Sequence, residues 1–362
     1  MGISEENSLK VKRLSFLAMI SVLLIHANTI SGINNLPSWC TISELLLTRT
    51  FIRWAVPFFF VVSGFFFGIG SYIKKGGQSS LIKKKIKTLL VPYFIWAIWG
   101  MMLVTPLVCA NNYISHNPIL NNTVFGTTNI ACGINNALGI LTYAPKCNQA
   151  LWYVRVLLVL FSIAPFFKLI FKLNIVFLFL LSFLFIFGGF FLGRPEYLQV
   201  SSVDIGWFML GLCVSKYGIE KIRFNNVVMY ISGILYVIIA GFQCFMSLRP
   251  NGVDISSTML YLDTYEGLFG IIFWWNLYDK IKLFFNIFPD TLINSTFFVY
   301  CMHQPILAYF LSVTRMFAKN NPPVLVVSTF FSVFAVISIC YFFRRIIYNQ
   351  SNKFYMIISG GR

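Results

Sequence analysis

Charge is scarce in this sequence. Of 362 residues only 11% are Asp, Glu, Lys or Arg, against about 25% in a soluble globular domain, while 58% are hydrophobic and the mean hydropathy is +0.77. That shortage excludes an ordinary soluble fold. Metal-ligand spacing is missing among the eight cysteines, which gives no metal site. An internal repeat is missing too, which weakens a transporter built from duplicated halves. The first apolar run lacks a small-residue cleavage site, so it reads as retained and not as a removable signal peptide. No aromatic stripe suggests a cofactor box, and Asn121-Asn122-Thr123 is a common chance match to a sequon.

What is present is a series of apolar runs at about 14–31, 51–73, 88–108, 151–171, 174–193, 202–215, 226–248, 259–278, 293–313 and 324–343. A helix needs about 20 apolar residues to cross a bilayer core of about 30 Å. The pattern therefore predicts one all-α domain over 1–362, a polytopic transmembrane helix bundle of about ten helices. The sixth run is short and reads as a broken or buried helix. Forty Phe and eight Trp fit lipid-facing surfaces and interfacial belts.

The net charge of +17 lies between apolar runs and not along one soluble face, so orientation accounts for it and nucleic-acid binding does not. With the N-terminus in the cytoplasm, 20 of the 28 Lys and Arg fall on the inner side, which predicts both termini inside. Cys213, Cys244, Cys301 and Cys340 then fall in apolar runs as small core residues. Cys40, Cys109, Cys132 and Cys147 fall outside, where three disulfide pairings are open. The longest external loop, about 109–150, is rich in Asn, Thr and Gly, and reads as a cap or an acceptor-contacting loop.

Several polar groups need a reason in so apolar a chain. His26 lies in the second half of the first run, Leu14 to Ile30, behind Lys10, Lys12 and Arg13. An ionisable group at that depth faces protein, water or a partner, and is either a functional residue or a neutral ring bonded to a neighbouring helix. Between the second and third runs, six lysines stand in fourteen residues from Lys74 to Lys87, including Lys83, Lys84, Lys85 and Lys87. They anchor the chain to anionic lipid or bind a phosphorylated ligand. Ser63-Gly64 is small enough for close helix approach. Arg53, Arg155, Asp204, Glu266 and His303 are the remaining buried or interfacial polar groups, and helix order suggests Arg155 paired with Asp204 or Glu266. Pro305 would kink its helix and free a carbonyl upstream.

Six segments carry a resemblance. They are Leu14-Ser15-Phe16-Leu17 leading to His26, Val56 to Phe65 with Pro57 and Ser63-Gly64, and Leu90-Val91-Pro92-Tyr93. Leu151-Trp152-Tyr153-Val154-Arg155, Trp207-Phe208-Met209-Leu210-Gly211 and Phe298 to Pro305 complete them. In order and spacing the chain resembles the acyltransferase-3 family of membrane-bound O-acyltransferases over nearly its whole length. The family often has Arg or Lys eleven residues before the first-run histidine, where this chain has Ser15, so Arg13 or another cation takes that place. Lys84 and Lys87 look like the family's paired basic residues, and Val156 stands where relatives carry an acid or amide.

The resemblance implies transfer of an acyl group, most often acetyl, from cytoplasmic acetyl-CoA to a hydroxyl of an external glycan, as in O-acetylation of a polysaccharide at the bacterial inner membrane. His26 would be the general base, and Arg155 would orient it or stabilise the thioester oxygen. Ser63 would be the nucleophile of a covalent route, and Lys83, Lys84, Lys85 and Lys87 would hold the CoA phosphates. A transporter or flippase for a glycan or lipid-linked sugar is the alternative.

Overall fold

The computed structural model describes residues 3–28, 36–70, 77–115, 130–140, 142–188, 200–248, 256–318 and 321–361. Lys74, Lys75, the sequon-like triplet and part of the external loop lie outside them. Among the described residues every regular element is a helix.

The first helix, α1, runs from Glu5 to His26. Ser4 caps it by accepting from Asn7 N at 3.3 Å, and Glu5 and Glu6 suit the positive end of its dipole. Its basic first third is held by α12 (Ser256–Ile281) and the turn after it. Lys10 Nζ pairs with Asp279 Oδ2 at 2.8 Å and lies 4.4 Å from the centre of the Trp275 ring. Arg13 donates to Lys282 O at 3.2 Å and Asn286 Oδ1 at 2.9 Å.

The second run is longer than its apolar stretch. Helix α2 (Ser38–Leu45) passes through a π-helical turn at Leu46–Thr50 and on to α3 (Ala55–Ile69), a single 32-residue span. From Gln78 on, the lysine-rich segment is likewise helical and not a loop. Helix α4 (Gln78–Lys85) continues through a π-helical turn, Ile86–Leu90, into α5 (Val91–Ser115). The reason is Leu81, Ile82, Ile86 and Leu89 at helical spacing, with Leu89 fully buried. The external loop contains α6 (Ile130–Leu138), whose buried Gly133 and Ala137 lie one turn apart; a stripe that short escapes a periodicity scan.

The fourth run is broken into α7 (Trp152–Ser162) and α8 (Ala164–Ile170), bent by 67° where Pro165 opens the second piece. Helix α9 (Ile175–Gly188) precedes α10 (Ser202–Tyr217), the short sixth run, which is a buried helix. The long α11 (Asn226–Ser247), α12, α13 (Thr296–Ala318) and α14 (Pro322–Gln350) follow, and α15 (Asn352–Ile358) closes the chain. Each of the ten apolar runs thus lies on a helix or a bent pair. Among the described residues, five spans are long and apolar enough to cross a membrane alone, and the bent pair would make six. The rest fall short because α9 and α10 are short and α1 and α12 carry charge.

Helices α3 and α10 make the closest crossing. A Cβ on Gly64 would sit 1.9 Å from Phe208 O, and one on Gly211 would sit 2.1 Å from Val61 O. Beside that seam Phe208 packs on Phe67, Phe161 and Phe167 with ring centres 4.8 to 6.0 Å apart. The outer faces are apolar: Val227, Ile231, Ile234 and Ile238 of α11 and Phe330, Phe331 and Phe334 of α14 are all more than half exposed, which suits lipid. Cys40 and Cys147 are buried thiols. Every pairing of the four outer cysteines uses both of them, so none of the three disulfide patterns holds in full. The Cys109 side chain lies outside the described set.

Substituting Gly64→Ala is expected to lower stability by about 1–3 kcal/mol through overpacking of the α3–α10 seam. Gly241→Ala, with nothing within 4 Å of its Cβ position, should leave it unchanged or slightly higher. Thermal unfolding in detergent compares the two.

Candidate active site

Helices α1 and α13 bring together two histidines far apart in sequence. His26 is the last residue of α1, and its ring centre lies 5.5 Å from that of His303 at an interplanar angle of 44°. His303 is fully buried, and its Nδ1 is 2.7 Å from Tyr300 O. A carbonyl only accepts, so Nδ1 carries the proton and the neutral ring keeps its lone pair on Nε2. That Nε2 is buried with no hydrogen-bond partner among the described residues.

His26 is half-buried and opens on a cavity of about 520 Å³. Asn136, Thr142, Tyr143, Lys146, Gln149 and Trp152 share its wall. The mixture of amides, a hydroxyl, one ammonium and two stacked rings (Tyr143 and Trp152, 5.2 Å apart at 17°) suits a polar ligand with flat apolar faces.

The loop over the histidines is held by α13 itself. Pro305 has no N–H, which leaves Cys301 O without its intrahelical donor. Asn148 Nδ2 donates to that oxygen at 2.9 Å and to Trp96 O at 3.2 Å. One turn away both backbone groups of Ala150 are taken. Its N–H donates to Gln304 Oε1, and its carbonyl accepts from Tyr300 OH. Tyr300, His303 and Gln304 stand at i, i+3 and i+4, so one side of α13 clamps the loop and presents the histidine.

Ser63 lies deeper, on α3. Its Oγ is 2.7 Å from Tyr153 OH, and that phenol donates to Phe59 O at 2.9 Å. With the phenolic proton given to Phe59 O, the serine hydroxyl is the donor to Tyr153. The Tyr153 ring meets Tyr300 edge-on at 5.9 Å, and Tyr300 lies 5.9 Å from His303. Ser63 is thus joined to His26 by a column of four rings, but a phenol and not a base stands beside it.

Arg155 Nη2 donates to Ile140 O at 3.4 Å, in the turn where Tyr93 OH donates to Leu138 O at 2.9 Å and Gly139 O at 3.1 Å. The structure thus sets Arg155 against the 138–140 turn. Its suggested carboxylates are also engaged differently. Asp204 completes a capping box, accepting from Ser201 N at 3.2 Å. Glu266 is fully buried in a group with Arg53 and Asp263, whose Nε and Oδ1 are 3.6 Å apart. Arg53 is also the cation whose charge acts on His26, whereas Arg13 is tied to the opposite end of α1.

The lysines divide three to one. Lys83, Lys84 and Lys87 are exposed and, at i, i+1 and i+4, share one side of their helical segment. Lys85 turns inward, its Nζ 3.8 Å from the centre of the Phe161 ring. Phe161 stands near the C-terminal end of α7, whose first residue, Trp152, lines the His26 cavity, so Lys85 and His26 lie towards opposite ends of that helix. His303 as the partner of His26, Tyr153, Asn148 and Arg53 as a cation near His26 were not assigned from sequence. The signal for the first was the Tyr300 to Pro305 stretch, and for the second the Trp152-Tyr153 pair. Nothing marked Asn148.

A family model described as an acyltransferase domain matches residues 14–342, nearly the whole chain. No curated protein and no solved structure matches it.

Replacing Asn148 by Ala removes both donations at once: Cys301 O loses the bond that stands in for its missing helical one, and Trp96 O loses the bond it accepts besides that of its own helix. The expected loss is about 1–3 kcal/mol, read as a lower unfolding temperature together with faster protease cleavage in the 142–150 loop.

Proposed function

The chain belongs to that acyltransferase family, and from this premise we propose that it moves an acetyl group from acetyl-CoA at its basic end to a hydroxyl of a glycan at the other, in the bacterial inner membrane. The observation that carries the reading is His26, paired with His303, on the wall of a polar, ring-lined cavity at one end of α7, while Lys85 of the lysine cluster lies at Phe161 near the other. Coenzyme A carries several negative charges and cannot enter hydrocarbon, whereas an acetyl group is small and neutral. A protein-lined path solves that problem. Lys83, Lys84 and Lys87 present ammonium groups to the CoA phosphates, while Lys85 braces the helix on Phe161. The thioester arm then reaches inward towards the Ser63–Tyr153 level.

A hydroxyl is a poor nucleophile near neutral pH, and an imidazole beside it can take its proton as the C–O bond forms. His26 is the group that touches the acceptor cavity, so it is the general base. The acceptor oxygen attacks the thioester carbon, the C–S bond breaks, and the CoA thiolate leaves and takes up a proton. His303 is the positioning residue. Tyr300 O fixes its tautomer, and the lone pair on Nε2 is available to the His26 imidazolium as it forms. Direct transfer fits Ser63 better than a covalent route, since no base activates its hydroxyl. Arg155 supports the reaction through the turn it holds.

His26→Ala is expected to lower acyl transfer by about 10²–10⁴-fold with membrane insertion and abundance unchanged; retained transfer removes the base assignment. The assay is labelled acetyl-CoA with purified protein and a surface-glycan extract, and glycan movement without label would indicate transport instead.

Reversing charge with Lys84→Glu and Lys87→Glu should weaken acetyl-CoA binding most at low salt, the difference shrinking as ionic strength rises. Equal binding by variant and parent would leave the lysines as an orientation signal only.

A further inference from the structure

A second cavity, of about 440 Å³, opens at the basic end between α3, α9, α10 and α12. Its walls are hydrocarbon: Phe58, Val62 and Phe65 of α3, Phe183 of α9, Leu210 of α10 and Leu268 of α12. The three α3 residues recur at i, i+4 and i+7, one face of the helix, while Ser63 turns to Tyr153. Helix α3 therefore separates this cavity from the ring column.

The rim has a different character. Lys221 and Arg223, in the turn after α10, border the opening, with Lys221 Nζ 5.7 Å from the centre of the Tyr217 ring. The neighbouring carboxylate is tied to the start of α1, with the Arg223 charge also acting on it. Glu220 accepts from Ser4 N at 2.8 Å and Asn7 Nδ2 at 2.5 Å, and the backbone donor at Ser4 leads in holding its carboxyl below the usual range. The mouth thus offers two cations and the interior is mainly hydrocarbon, with the indoles of Trp207 and Trp275 among its walls, so it favours an apolar occupant over water. A volume of this size takes a small ligand or a chain, and its apolar wall and cationic rim together fit an amphiphile with a negative head.

We propose that this cavity binds an acyl chain of an anionic phospholipid, with the lipid phosphate held between Lys221 and Arg223. The site is independent of acyl transfer. Its position at the basic end matches the leaflet in which anionic headgroups attract basic residues at a membrane surface.

The test uses the full-length protein in nanodiscs containing trace diazirine-tailed phosphatidylglycerol or, separately, diazirine-tailed phosphatidylcholine, with cross-linked peptides mapped by mass spectrometry. Phosphatidylglycerol is expected to label α3, α10 and α12 at least fivefold more than phosphatidylcholine. Two cations at a membrane surface account for a preference of that order. K221E with R223E should bring the two lipids level, and K221R with R223K should restore the preference. Leu268→Trp, which fills the cavity, should lower labelling by both. Equal labelling by the two lipids in the parent protein, or labelling by phosphatidylglycerol unaffected by both charge reversal and Leu268→Trp, overturns the proposal. Elution volume in size exclusion confirms that each variant is folded.

Discussion

One backbone carbonyl without its helical donor organises the histidine end of this molecule. Pro305 breaks the hydrogen-bond ladder of α13 at Cys301 O. In an apolar bundle that oxygen needs a donor from protein, and Asn148 supplies it from a loop about 150 residues earlier. The same loop is gripped at Ala150 by Tyr300 and Gln304. The segment that could have been a loose cap is therefore registered against α13, and it carries Tyr143, Lys146, Gln149 and Trp152 to the wall of the cavity that His26 enters. The proline, its asparagine and the histidine two residues upstream of Pro305 are parts of one device.

Helix α3 separates two environments with its opposite sides. One side carries Ser63 to Tyr153 and so to the ring column that ends at the histidines. The other carries Phe58, Val62 and Phe65 to an apolar cavity with a cationic rim. Between them, Gly64 allows α10 to approach backbone to backbone. A helix that close to its neighbour has little freedom to rotate, so both faces keep their assignments.

The cations divide by what they touch. Lys10 and Arg13 fasten α1 to α12 and its following turn, and Lys85 lies on an aromatic face. Arg53 lies with two carboxylates in the helix interior, where its charge also acts on His26. Lys83, Lys84 and Lys87 remain exposed.

The sequence by itself determined the helical class, the apolar runs and the family. These follow from local quantities: hydropathy over a helix length, the missing N–H of Pro305, and motif order. It also singled out His26, because a histidine in a run that otherwise carries no ionisable group stands out on composition alone. The tertiary structure decided what sequence order cannot: that His26 meets His303, that Cys301 O meets Asn148, that Arg155 braces a turn, and that Lys85 leaves the lysine cluster. Each of these is a contact between residues tens to hundreds of positions apart. Which partner a buried polar group finds depends on helix rotation and register, and those are set by close packing such as Gly64 on Phe208, a relation that no local pattern encodes.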